Sequence, residues 1–297
     1  MRLPFARRDQ AEASARGQCM SDVVFGFGAL PRDLVARIAA DEIGLEFGVH
    51  GEFRLRCAIQ PIFRHEDGRL TPVAADAQVV PYREGRPVAV GEFLAEIVDE
   101  ERAIVARVWA VLPLANAHNM GVKGIALLFR QDINGDAPDL DDLGFMVRRL
   151  KGEGFEASQL ICEIGGDEKL ACELRALGMR VALGQPGSAQ HDVDAVKRVL
   201  PDIVRLDRAS FERFCADAAT GRLLRPVVSE LKTLGVDVLV EGIDNESRLE
   251  IALGAGVDLF QGDLLEPAKL VGSVFAEGAR ETSQYRRGEC VVVPLFG

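Results

Sequence analysis

Short apolar runs of strand length alternate with stretches of helical periodicity over most of the chain. β-rich runs over residues 55–63, 73–80, 124–129, 159–164, 180–183, 203–206, 236–240 and 259–264 predict strands. Apolar residues at helical spacing predict helices over 91–117, 139–152, 168–177, 192–200, 220–234 and 247–255. A glycine just past the last apolar residue, as in Leu177-Gly178 and Leu234-Gly235, supplies several with a left-handed stop. Repeated strand–helix units predict an α/β protein, and eight strands are what a closed, TIM-like (β/α)8 barrel needs. The first two runs are joined only by residues 64–72, which contain Asp67-Gly68. That link is a hairpin, too short for a parallel crossover, so the first barrel strand is predicted antiparallel to the second.

The flanks differ. Residues 1 to about 25 carry Arg2, Arg7, Arg8 and Arg16 without sustained periodicity and read as a leader. Leu34, Val35, Ile38, Ala39 and Ile43 follow Pro31 at helical spacing, which predicts an amphipathic helix over 30–43 packed on the core. Near the end, Tyr285-Arg286-Arg287 precedes Val291-Val292-Val293, and an extra edge strand, a partner-binding tail and disorder all stay open. The domain reading is therefore 1–48 leader and helix, 49–279 barrel, and 280–297 tail.

Composition narrows the function classes. With 48% hydrophobic residues the chain can bury one large core. A net charge of -11 argues against capture of DNA or an anionic membrane, though a local pocket can still oppose the global sign. The six cysteines form no CxxC pair and sit mostly among apolar neighbours, as buried thiols of a reducing compartment do. No apolar run approaches the ~20 residues of a membrane helix, and no signal-peptide core follows the basic residues 1–8. The expectation is a cytoplasmic protein without a membrane span. Gly26-Phe27-Gly28 lacks the third glycine of a dinucleotide fingerprint, and Asp132-Ile133-Asn134-Gly135-Asp136 lacks the glutamate of a calcium loop and reads as a turn.

A barrel of this kind displays chemistry where its strands end. Glu163 follows Leu160-Ile161-Cys162, Asp207 follows Ile203-Val204-Arg205-Leu206, Glu241 follows Val238-Leu239-Val240, and Gln261 follows Leu259-Phe260. These side chains would face one mouth; capping helices or anchoring loops is the competing reading, and spacing alone leaves both open.

Several motifs in order resemble the EAL family over residues 50–277. Ala58-Ile59-Gln60-Pro61-Ile62 with Asp67-Gly68-Arg69 is similar to its opening strand and hairpin, and Leu160-Ile161-Cys162-Glu163-Ile164 to its Leu-x-x-Glu-Ile strand. Residues 177–183 resemble the approach to its paired aspartates, and Leu200-Pro201 through Leu206-Asp207 its Leu-Pro-x-x-x-x-Lys-Ile-Asp segment. Val240-Glu241-Gly242-Ile243-Asp244 and Phe260-Gln261-Gly262 resemble its closing motifs.

The resemblance implies hydrolysis of cyclic-di-GMP with two Mg2+ or Mn2+ ions, and it also implies what this chain lacks. Ala74-Ala75-Asp76 stands at the signature Glu-Ala-Leu, Gly184-Gln185-Pro186-Gly187 at the paired aspartates, apolar residues 126–129 at an asparagine ligand, Gly166 at a second glutamate, and Arg205 at the catalytic lysine. Only Glu163 remains of the ligand set, with Asp207, Glu241 and Gln261 in support. Asp76, two strand residues beyond Ala74, is displaced by ~6.6 Å and is not expected to substitute. The expectation is a barrel with no metal, no cofactor and no enzyme activity, acting in bacterial signalling through an unidentified regulatory protein. The alternative is a metal-independent cyclic-di-GMP receptor in which Gln60, Arg205 and Gln261 donate hydrogen bonds. Gln78 at the place of the family's phosphate-binding arginine, and repulsion from Glu163, Asp207 and Glu241, count against it. A rewired metal site drawing on His191, Asp192 or Asp194 is the third reading. The resemblance implies a homodimer as a further partner.

Overall fold

The computed structural model describes residues 30–120, 124–130, 139–184, 193–276 and 278–285. The leader, Gly26 to Gly28, the 132–136 turn, His191, Asp192 and the tail beyond 285 lie outside the described residues.

A long hairpin starts the barrel. β3 (Phe53–Glu66) and β4 (Arg69–Arg83) run antiparallel, joined by Asp67 and Gly68 at φ 50° and 77°, the left-handed pair that a two-residue hairpin turn of matching twist requires. From β4 the ring passes through the parallel strands β6 (Ala126–Arg130), β7 (Leu160–Ile164), β8 (Arg180–Gly184), β9 (Ile203–Leu206), β10 (Asp237–Glu241) and β11 (Leu259–Gln261). β11 then pairs antiparallel with β3 and closes it. The expected barrel with an antiparallel first strand is what forms.

Between the strands lie α4 (Leu140–Gly152), α5 (Glu168–Ala176), α6 (Val193–Val199), α7 (Arg208–Cys215), α8 (Ala218–Thr233) and α9 (Glu246–Ala255). Their apolar stripes and the outward strand residues make two large core clusters. The predicted helix over 91–117 is two helices, α2 (Val90–Glu96) and α3 (Asp99–Ala115), because Ile97 and Val98 take extended backbone between them. Asp99, Glu100 and Glu101 then oppose the positive end of the α3 dipole.

The helix expected over 30–43 does not form. α1 is one turn, Arg32–Val35, after which β1 (Ile38–Ala40) pairs with β2 (Glu46–His50) and β2 with the start of β3. Between β1 and β2, Asp41 accepts hydrogen bonds from Ile43 N and Leu45 N, and Gly44 takes φ 83°. Hairpin pairing with the neighbouring strand overrides the helical period. β1, β2, the mouthward halves of β3 and β4, and the short β5 (Arg86–Pro87) build a wall beyond the barrel rim. Phe93 anchors it, edge-on to Phe53 at 4.9 Å and stacked on Trp109 at 6.2 Å. Past the barrel, β12 (Lys269–Leu270) pairs with β3, and β13 (Arg280–Glu281) with β4, so the start of the tail is an edge strand.

Strand register decides what fills the barrel. Pairing steps by two residues at alternate junctions, with Asp76 opposite Leu128, Glu163 opposite Ala182 and Arg205 opposite Leu239. Such stagger sorts inward side chains into layers contributed by alternate strands. Ala74, Ile161, Ile203 and Leu259 form one apolar layer, and Ile62, Leu128, Ala182 and Leu239 the next toward the mouth. Above them come Asp76, Glu163, Arg205 and Gln261, and at the mouth Gln60, Arg130, Gly184 and Glu241. No helix of the described residues is long and apolar enough to cross a membrane.

Candidate functional site

Asp76, Glu163, Arg205 and Gln261 are all buried, at 2%, 3%, 4% and 0% exposure. Charges this deep survive only when paired and hydrogen-bonded. Arg205 meets that condition. Its Nη1 donates to Glu163 Oε2 at 2.7 Å, and its Nη2 to Asp76 Oδ2 at 2.6 Å and to Glu241 Oε2 at 3.2 Å. Gln261 Nε2 donates to Asp76 Oδ2 at 2.9 Å and to Gln60 Oε1 at 3.0 Å; Gln60 Nε2 in turn donates to Asp263 and to the carbonyl of Glu266. Gln78, exposed at the rim, adds a third donor to Asp76. From β6, Arg130 Nε reaches the other oxygen of Glu163 at 3.0 Å.

Burial alone would raise the Asp76 carboxyl, yet the Arg205 charge and the donated hydrogen bonds bring it below its ordinary value. Burial likewise works against the Arg205 cation, and Asp76, Glu163 and Glu241 outweigh it, leaving the guanidinium held firmly charged. Gly184 makes room for Glu163: a Cβ there would lie 2.9 Å from the Glu163 Cδ, and that carboxylate is pinned on both sides.

The structure refines the sequence reading at four residues. Asp76 stands in the polar layer beside Glu163, with Ala74 on the same inward face two layers below it; Val73 is an extra residue between the pairs Ile62–Ala74 and Phe63–Pro72. Arg205 is turned onto carboxylates and buried, and does not stand as a donor awaiting a phosphate. Asp207 lines the mouth, but its carboxylate accepts from Ser210 N and caps α7, the anchoring role left open above. Asp207→Ala should therefore cost about 1 kcal/mol in a urea titration without disturbing the buried layer. Arg130 was missed; it closes the apolar run of β6 as Glu163 closes that of β7, so the same signal would have found it. Gln60, Glu163, Arg205, Glu241 and Gln261 do come together, while Asp194 is exposed on α6.

Above the layer opens a cavity of about 590 Å³. Val79 of β4, Val90 of α2 and Trp109 of α3 line it together with Arg130 of the neighbouring β6, and Asp207, Arg208, Glu212 and Glu241 line it from β9, β10 and the helix after β9, across the barrel ring from β4.

The EAL domain family model matches residues 54–268. The chain belongs to the EAL-domain family. Among curated relatives of this EAL chain, it is 18% identical to the probable cyclic di-GMP phosphodiesterase PdeD of Escherichia coli (strain K12), over 52% of this chain and 29% of that protein. It is 21% identical to the blue light- and temperature-regulated antirepressor BluF of the same organism, over 54% of this chain and 41% of that protein. The match thus spans less than half the length of either. A standalone versatile EAL protein from Vibrio cholerae O395, solved with c-di-GMP bound, superposes with a TM-score of 0.63 at 17% identity, over 77% of this chain and 98% of that one.

The divalent ions implied for an active EAL barrel do not fit this donor set. Asp76, Glu163 and Glu241 each give an oxygen to Arg205, Arg130 takes the other oxygen of Glu163, and Gly184 and Leu128 carry no side-chain oxygen. Among the described residues, no group of three or more His, Cys, Asp or Glu is arranged to hold a metal ion.

Proposed function

We propose that this chain is a non-hydrolytic EAL barrel that acts in bacterial signalling by binding another protein. One observation carries the reading: the Arg205 guanidinium sits among the carboxylates that would have to bind metal ions. Hard cations need those oxygens free and anionic. A fixed guanidinium is already compensated by the same oxygens, and expelling it would leave a buried cation without partners. Without the ions, no group here both activates a water and neutralises charge on a phosphodiester. The likeness to an antirepressor agrees with a regulatory role.

Metal-independent reception of cyclic-di-GMP has one observation in its favour, Arg130, whose side chain is 57% exposed at the rim of a ligand-sized cavity. The engagement of Arg205 and the carboxylates beneath count against it. Calorimetric titration with cyclic-di-GMP, with and without Mn2+, followed by assay for the linear dinucleotide, tests both. We expect no linear product and no metal-dependent heat. Product that disappears with a chelator would overturn the non-hydrolytic reading, and metal-independent binding without product would replace the interaction module by the receptor.

A further inference from the structure

We infer that the cavity over the polar layer receives a partner segment presenting an arginine or lysine beside an apolar side chain. The inference rests on the proposed protein-binding role and names the chemistry of the partner. Two features of the cavity converge on it.

The first is its two-sidedness. Val79, Val90 and Trp109 contribute apolar surface, and Val90 is 41% exposed. Facing it, Asp207 and Glu241 present carboxylates. An apolar surface opposite acid groups within one cleft suits neither a dianion nor a purely apolar ligand.

The second is the charge left after internal pairing. Arg208 is matched by Asp244, and Glu212 by Arg248. Asp76, Glu163 and Glu241 against Arg205 and Arg130 leave one negative charge, and Asp207 adds a second. Inside a cleft of reduced dielectric that excess favours a cation and repels phosphates, and the net charge of -11 extends the same sign over the whole chain.

A peptide segment with a cationic and an apolar side chain answers both requirements at once; a bare cation answers only the second.

Trp109 is the only tryptophan of the chain and lines this cavity, so its emission reports occupancy. The experiment titrates the full chain with acetyl-Leu-Arg-Leu-amide, with acetyl-Leu-Glu-Leu-amide, and with cyclic-di-GMP. The expected result is a saturable change in Trp109 emission with the arginine peptide alone, weakened by added salt. Val90→Lys, a change at an exposed site, should abolish it; Glu241→Gln should weaken it about tenfold, the loss of one charged hydrogen bond. An equal response to the glutamate peptide, or none to the arginine peptide, overturns the assignment. So does a response to cyclic-di-GMP that Val90→Lys removes. The hydrolysis assay stays separate: a chain that makes no linear dinucleotide yet ignores the arginine peptide loses only this assignment, whereas one that makes it loses the reading beneath.

Discussion

Arg205→Ala is expected to lower stability by about 3–5 kcal/mol, the cost of removing one member of a buried ionic network and stranding the rest. Asp76 and Glu163 would be left at 2% and 3% exposure without the guanidinium that now bonds both. The pH dependence should change sign. In the natural chain Asp76 is held below its ordinary value, so its contribution is fully present above that value and is lost as pH falls through the depressed one. Without Arg205 burial dominates and the Asp76 carboxyl rises. Its penalty is then absent at acid pH and grows as pH climbs through the raised value, so the gap to the natural chain should narrow on going from pH 7 to pH 5. Urea titrations at the two pH values measure it, and a gap independent of pH would refute the network as described. Adding Asp76→Asn and Glu163→Gln to the variant should restore part of the loss, since neutral amides need no counter-charge.

Gly262→Ala is expected to cost about 3 kcal/mol or more, at the upper end of overpacking effects. A Cβ at this position would fall on the main chain of Ile243, 2.5 Å from its carbonyl carbon and closer still to its N and O. A side chain can swing aside, but this segment is held because Gly242 N and Ile243 N both donate to Gln261 O. Relief would have to come from moving β11, and with it Gln261, the amide that ties Asp76 to Gln60. Gly254→Ala in α9 is the control: nothing lies within 4 Å of the added methyl, and the helix should gain up to about 1 kcal/mol. Urea midpoints of the two variants should move in opposite directions, and a neutral Gly262→Ala would show that the strand end is free to shift.

Much of the barrel was legible because its signals are local. The left-handed turn at Asp67-Gly68 needs two residues that tolerate positive φ, and they are adjacent in sequence. The apolar run Leu160-Ile161-Cys162 stops at Glu163 because a strand buried on both faces reads as continuous apolar residues until it reaches the polar layer. The helix expected over 30–43 was misread because Ile38 and Ala39 satisfy a helical period as well as a strand, and pairing with residues 46–48 settled the choice.

Site residues were legible as types and not as partners. Ala74 and Asp76 share the inward face, and nothing local says which of them lies level with Glu163; the register of β4 on β6 and of β6 on β7 decides it. By itself the sequence determined the strand and helix alternation, the hairpin and the family, since these follow from backbone preference and from motifs at known spacing. Only the tertiary structure decided that Arg205 lies between Asp76, Glu163 and Glu241, because that contact depends on the register of several strands at once and on a low-dielectric layer that makes a guanidinium seek every carboxylate within reach.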